Sequence, residues 1–261
     1  MAKIKAAALQ LLTLGMSLNR LEYFVKAAQN EGVHLLQLGE YVLNHFFLEL
    51  RGLPKSMVKE QSQKHLATLE NISQKYEMAI CAPIVVIEEE KYYKCMAFIQ
   101  NGQTQLFEQE ILINYDHWDE KGFFSNGSNA KQPIIDFYGV KIAPMFGYEL
   151  HFNAKFDTVM ESRVDLVLLS TCSTFDSHNR WREVIKSRAF MHNCYILRAN
   201  RIGEYTHQKH KWRFYCDSML ALPNGEVGDM LDDKESLLIA TIDSQYAKEQ
   251  RDAWGFFQKT D

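Results

Sequence analysis

Several polar side chains stand where apolar runs end, which is where chemistry is usually built. Glu40 closes Val33-His-Leu-Leu-Gln-Leu38-Gly-Glu40, an almost wholly apolar stretch. A carboxylate there is partly desolvated, which raises its pKa and suits a general base. It reads equally well as a surface carboxylate at the start of a loop. Glu120 lies among aromatics in Trp118-Asp-Glu-Lys-Gly-Phe-Phe124, placed to orient or polarise a ligand or to stand as a solvated loop acid. Cys172 ends the run Val164-Asp-Leu-Val-Leu-Leu169-Ser-Thr-Cys172. A thiol there is a nucleophile only if its pKa is lowered or a base is at hand; otherwise it is a small packing residue. Glu149 and His151 follow a turn at Gly147. His151 is a proton carrier in one reading and a structural residue in the other. The tip of that turn is a glycine. Cys81, Cys95, Cys194 and Cys216 sit in apolar contexts and read as inert. His207-Gln-Lys-His-Lys-Trp-Arg213 is a short basic patch, read as a solvated loop able to gather anions at a pocket mouth.

The elements that must position these groups alternate between two periodicities. Residues 4–12 read as a buried strand. Asn19 with Glu22 forms a capping-box pattern, Leu21, Val25 and Ala28 share a helical face, and Gly32 stops that helix. Residues 33–38 are a second strand, and Pro54 precedes a long polar helix with Val58, Leu69, Ile72 and Tyr76 inward. Strands are predicted over 78–87 and 91–100, with Asn101-Gly102 as a hairpin turn into 103–107. Residues 109–129 form a long aromatic-rich segment of weak periodicity, the kind of loop that carries function. Residues 133–137 and 140–145 pair around Gly139; 164–169, 194–199, 212–222 and 236–242 are further strands, and 181–192 and 245–254 are helices. Strands alternating with helices indicate an α/β fold. No linker rich in Pro, Gly and Ser divides the chain, so 1–261 is assigned to one domain.

Composition narrows the classes. The 261 residues carry a formal net charge of -4, with 46% hydrophobic and 24% charged residues. That balance suits a soluble globular protein and not a nucleic-acid binder, which needs a basic stripe. Five dispersed cysteines without a C-x-x-C pair point to a reduced, cytoplasmic protein rather than a disulfide framework or a zinc site. Lys3, Lys5 and the run from Ala6 superficially resemble a signal peptide. Gln10 and Thr13 interrupt that run, and it leads directly into an amphipathic helix. No stretch reaches the ~18–20 apolar residues of a membrane helix. Phosphate-cradling glycine loops and the G-x-S-x-G elbow are absent.

Several stretches together resemble the carbon–nitrogen hydrolase (nitrilase) superfamily. Leu38-Gly-Glu40 is similar to the strand that ends in the family's general base. Ile111 to Gly127 resembles the segment carrying the second glutamate, at Glu120. Gly139-Val-Lys-Ile-Ala-Pro-Met-Phe-Gly-Tyr-Glu149 resembles the nucleophile strand and elbow. Trp181, Arg188-Ala189, Asn193, Asn200-Arg-Ile-Gly203, Ser218 and Pro223-Asn-Gly225 resemble the elements that follow. The resemblance implies a four-layer α-β-β-α sandwich. It also implies a mechanism in which a cysteine thiolate attacks an amide or nitrile carbon, a glutamate moves protons and a lysine stabilises developing charge.

This chain departs from that pattern at two positions. The elbow cysteine falls on Gly147 and the lysine on Gln109; Lys121 adjoins Glu120, and Lys94 lies too early in the chain. The favoured expectation is a catalytically degenerate member that keeps a pocket for a small amide, amine or acid, or serves as a scaffold. The pocket is expected to include Glu40, Gln109, Glu120, Gly147, Tyr148, Glu149 and Cys172. The alternative is an active amidohydrolase that uses Cys172, or water activated by Glu40. No cofactor or metal is implied. A homodimer or larger assembly is, with Trp254-Gly-Phe-Phe257 as an apolar tail able to pack on a neighbour.

Overall fold

A computed structural model describes residues 2–127, 131–207 and 210–254. In chain order, the first part comprises β1 (Lys3–Gln10), α1 (Asn19–Asn30), β2 (Leu35–Leu38), α2 (Phe47–Leu50), α3 (Lys55–Tyr76), β3 (Ala79–Glu88), β4 (Lys91–Gln100) and β5 (Gln103–Glu108). A small ribbon of β6 (Asn114–Tyr115) and β7 (Trp118–Asp119) follows. The second part comprises β8 (Ile135–Phe137), β9 (Val140–Phe146), a 3-10 turn (Gly147–His151), α4 (Asn153–Glu161), β10 (Leu166–Thr171), α5 (His178–His192) and β11 (Tyr195–Asn200). The chain closes with β12 (Gly203–His207), β13 (His210–Phe214), β14 (Met219–Ala221), β15 (Val227–Met230), β16 (Ser236–Asp243) and α6 (Ser244–Trp254).

Among the described residues the strands form two six-stranded sheets, ordered β16-β1-β2-β3-β4-β5 and β15-β14-β11-β10-β9-β8. Each has a parallel centre flanked by antiparallel strands. Such strands are covered on both faces, which is why they read as apolar runs without alternation. Period two nevertheless assigns the faces. In β1, Ala7 and Leu9 pack under Leu21 and Val25 of α1 and Leu69 and Ile72 of α3. Ala6 and Ala8 face the other sheet and meet Ile142, Phe146, Leu168 and Leu197. On the far side of the second sheet, Val167 and Leu169 pack against Phe156 of α4 and Ile185 and Ala189 of α5. The layers are therefore helix, sheet, sheet, helix, as the resemblance implied.

Four local expectations change. Asn19 makes no side-chain cap, and Glu22 instead accepts hydrogen bonds from Lys75 and Tyr76 of α3, each at 2.7 Å. The apolar run over 212–222 is not one strand but β13 and β14, in different sheets. It is broken at Asp217, whose φ of 79° ends the extended backbone. The described part of the basic segment is strand, in β12 up to His207 and in β13 from His210, and residues 208–209 lie outside the described residues. Trp212 packs among Phe46, Trp118 and Phe175, and Lys211 pairs with Glu204, so the segment is not a free loop. The connection after Gly147 contains α4, which periodicity did not reveal. The apolar tail at 255–257 lies outside the described residues.

Candidate active site

The site forms where the carboxyl ends of β2, β9 and β10 converge between the two sheets, the usual place for a site in an α/β fold. Gly39 makes the convergence possible. A Cβ there would lie 2.9 Å from the Arg201 backbone nitrogen and 3.1 Å from the Thr171 carbonyl oxygen, so only glycine lets the chains pass this closely. The next residue ties the sheets together, because the Glu40 N–H donates to the Thr171 carbonyl at 3.1 Å.

Glu40 is buried and both of its carboxylate oxygens are engaged. Oε1 accepts the Gly147 N–H at 3.1 Å, and Oε2 pairs with Lys94 Nζ. Lys94 Nζ also bonds Glu120 Oε1 at 2.8 Å, and the Tyr41 hydroxyl donates to the same oxygen. Lys94 is thus a buried bridge between the two predicted carboxylates. This corrects the dismissal of Lys94 as too early in the chain. Gln109 is also buried, but its Nε2 donates to the Ile111 carbonyl at 2.8 Å and contacts neither glutamate. The two positions are neighbours, since the Gln109 N–H donates to the Lys94 carbonyl at 2.8 Å. The cation therefore reaches the glutamates from β4 instead of from the end of β5. Strand alternation could have found it: Lys94 shares its face of β4 with Met96 and Phe98, both core residues between the sheets.

Charge and burial set the protonation states. Burial pushes the Glu40 carboxyl up, against the pull of Lys94, and the Glu120 charge adds to the push. Burial alone would lower the Lys94 ammonium, but Glu120 and Glu40 outweigh it and raise its pKa. Lys94 therefore stays protonated and acts as a fixed counter-charge. Tyr41, also raised by burial and by Glu120, remains a neutral donor.

A cavity of about 410 Å³ opens above this cluster. Glu40, Gly147, Thr171 and Cys172 line its floor. Lys94, Glu120 and Gln109 do not line it; Lys94 and Glu120 lie behind Glu40. Tyr148 lines it, whereas Glu149 does not. The Glu149 carboxylate accepts the N–H groups of Glu110 and Ile111 at 3.1 and 3.3 Å and faces the Lys155 ammonium at 3.5 Å. It ties the 3-10 turn to the loop after β5. Burial raises its pKa, with Lys155 opposing.

Cys172 does reach the cavity, but burial raises its thiol pKa, and among the described residues no hydrogen bond to the thiol is present. Buried surroundings of this kind make a poor thiolate. The wall is a collar of rings that sequence inspection had not assembled. Phe175, His117, Tyr115, Tyr148, His151 and Trp181 follow one another with centroid separations of 5.3, 5.7, 5.8, 6.0 and 5.1 Å. His151 belongs to this wall. Asp176 and Arg180 also line the cavity and are exposed. Among the described residues no helix is long and apolar enough to cross a membrane.

Comparison with known proteins agrees with the fold. Residues 5–252 match the family model for carbon-nitrogen hydrolase. The chain is 22% identical over 255 residues to an N-carbamoylputrescine amidase of Arabidopsis thaliana, covering 91% of this chain and 84% of that protein. Among solved structures it resembles a carbon-nitrogen hydrolase from Helicobacter pylori G27, with a TM-score of 0.87 and 18% identity over 98% of this chain and 94% of that one. It also resembles an amidase from Nesterenkonia sp. AN1 in which acrylamide has added to the active-site cysteine, with a TM-score of 0.81 and 16% identity over 97% of this chain and 98% of that one. The chain belongs to the carbon-nitrogen hydrolase family.

Proposed function

We propose that this protein binds a small ligand with an amide, amine or acid head and a compact apolar body, and does not turn it over by a covalent route. One observation carries the reading: among the described residues the only thiol lining the cavity is that of Cys172, buried and with its pKa raised, and no lysine lines it. Gly147 has no side chain, its N–H is taken by Glu40, and the Lys94 ammonium lies behind Glu40 between two carboxylates. Charge developing on a substrate oxygen would find no lysine in the cavity wall to stabilise it. The head group would sit on the floor beside Glu40, Thr171 and Cys172, and the body between the rings of the collar. N-Carbamoyl amines are the first ligands to try, because relatives over most of the chain are N-carbamoylputrescine amidases.

A second reading retains hydrolysis through the Cys172 thiol or through water activated by Glu40, because both residues line the cavity. Against it stand the raised pKa of the thiol and the full engagement of the Glu40 carboxylate. The test is calorimetric titration of N-carbamoyl amines, ω-amides and nitriles, with ammonia release followed in parallel. The binding reading expects saturable heat from at least one class and no ammonia above the buffer rate. Ammonia release that is lost in Cys172→Ala would support the thiol, and release lost only in Glu40→Gln would support activated water.

A further inference from the structure

Gly147 lacks a side chain, and its surroundings leave no room for one. Its backbone does not demand glycine, since it is not among the residues with positive φ. The demand is spatial. A Cβ at this position would lie 2.8 Å from Thr171 Cγ2, 3.1 Å from Glu40 Oε1 and 3.3 Å from the far edge of the Trp181 ring. A threonine methyl can ordinarily swing away by changing rotamer, but this one is held. The Thr171 hydroxyl donates to Asn200 Oδ1 at 2.7 Å and accepts from Arg198 Nε at 3.0 Å. A χ1 change would strip both bonds from buried partners, which is costly.

Arg198 is itself fully buried. It is fixed by Asp217 Oδ2 at 3.1 Å and by the Ser173 hydroxyl at 2.7 Å. The same guanidinium lies over the Trp181 ring, 5.1 Å from its centroid. One buried cation therefore holds both groups that press on Gly147 from the second sheet and α5.

We propose that Thr171, held by Arg198 and backed by Trp181, is a positioning residue that keeps the tip of β9 restricted to glycine. A side chain at 147, a nucleophile included, is accommodated only when the Thr171 methyl is removed. This deepens the non-covalent reading of the cavity, yet its test needs no ligand. The experiment compares thermal midpoints of the full-length protein with Gly147→Cys, Gly147→Ala, Thr171→Ser and the two double variants. Thr171→Ser keeps the hydroxyl and its hydrogen bonds and removes only the methyl.

Adding a side chain at 147 alone should lower Tm by roughly 2–10 °C, the range expected for overpacking in a chain of this size. Thr171→Ser should lower Tm slightly in the parent and raise it in both the Gly147→Cys and Gly147→Ala backgrounds. That reversal of sign is the signature of the contact. Iodoacetamide labelling of the introduced thiol, followed by peptide mass, should be at least about tenfold faster in Gly147→Cys with Thr171→Ser than in Gly147→Cys alone. The alanine pair keeps the test available if the cysteine variant does not fold. Unchanged Tm on adding the side chain, or the same downward shift from Thr171→Ser in every background, would overturn the proposal. Turnover by the parent protein alongside the sign reversal would remove the binding reading and leave this one standing.

Discussion

The two sheets meet at the site with opposite characters. The first sheet contributes Glu40 and Lys94 to an ionic cluster, Glu40–Lys94–Glu120, completed by Glu120 from the segment after β7 and closed by Tyr41. The end of the second contributes a steric cluster, in which Gly147 is pressed by Thr171 and Trp181 and held through a guanidinium that touches neither sheet's carboxylates at the site. The first half holds two carboxylates and a cation; the second presents bare backbone at Gly147 and the buried thiol of Cys172. Removing one partner of a buried ionic cluster is expensive, because it leaves an uncompensated charge. A glycine pressed by its neighbours is sensitive instead to added volume.

The largest effect should come from breaking the ionic half. Lys94→Met leaves two buried carboxylates facing each other, and a loss of about 3–5 kcal/mol is expected in urea unfolding. The loss should depend on pH. A carboxyl whose folded pKa is raised binds its proton in the folded state when the unfolded state has released it. Stability then falls as pH rises from the unfolded value through the folded one. Glu40 is already raised, and removing Lys94 removes the main influence lowering it. The gap between parent and variant should therefore be wider at about pH 8 than at about pH 5; a gap independent of pH would contradict the assigned pairing.

Next is the seam where the halves touch. Gly39→Ala sets a methyl against the Arg201 and Thr171 backbones. It should cost about 1–3 kcal/mol or more, because backbone cannot step aside as a rotamer can. A neutral outcome in chemical unfolding would mean that the two sheet ends separate easily. Tyr148→Ala probes the collar without touching either cluster. It should weaken ligand binding by roughly 1–2 kcal/mol in calorimetry, and an unchanged affinity would place the ligand elsewhere. The smallest effect is expected for Cys172→Ala, about 1 kcal/mol of stability or less in urea unfolding; a larger loss would contradict its reading as a small packing residue.

What could be read in advance follows the strength of the local signal. Glu40 is legible because it ends a continuous apolar run, and Glu120 because it stands between aromatics in the segment 118–124. Gly147 was legible as the tip of a strand. Spacing along the chain to Glu120 does not point to Lys94, whereas its parity with Met96 and Phe98 on β4 does. Its reach to the glutamates is a property of two adjacent strands, which no one-dimensional spacing contains. Glu149 was misplaced for a related reason: five residues of 3-10 turn carry its side chain toward the loop after β5. The run over 212–222 looked continuous because apolar composition cannot tell which sheet a strand joins. The break at Asp217 depends on ion pairs with Arg182 and Arg198, which come from distant parts of the chain. The collar of rings was invisible for the same reason, being drawn from three separate segments.

The central claim is that the cavity binds and does not convert. Proton NMR of the protein with a panel of N-carbamoyl amines, ω-amides and nitriles reads both halves of that claim in one tube. The account predicts saturation transfer from protein to at least one ligand, weakened by Tyr148→Ala, with ligand resonances unchanged over days. Growth of the free amine or acid at the expense of bound ligand, abolished by Glu40→Gln, would contradict it.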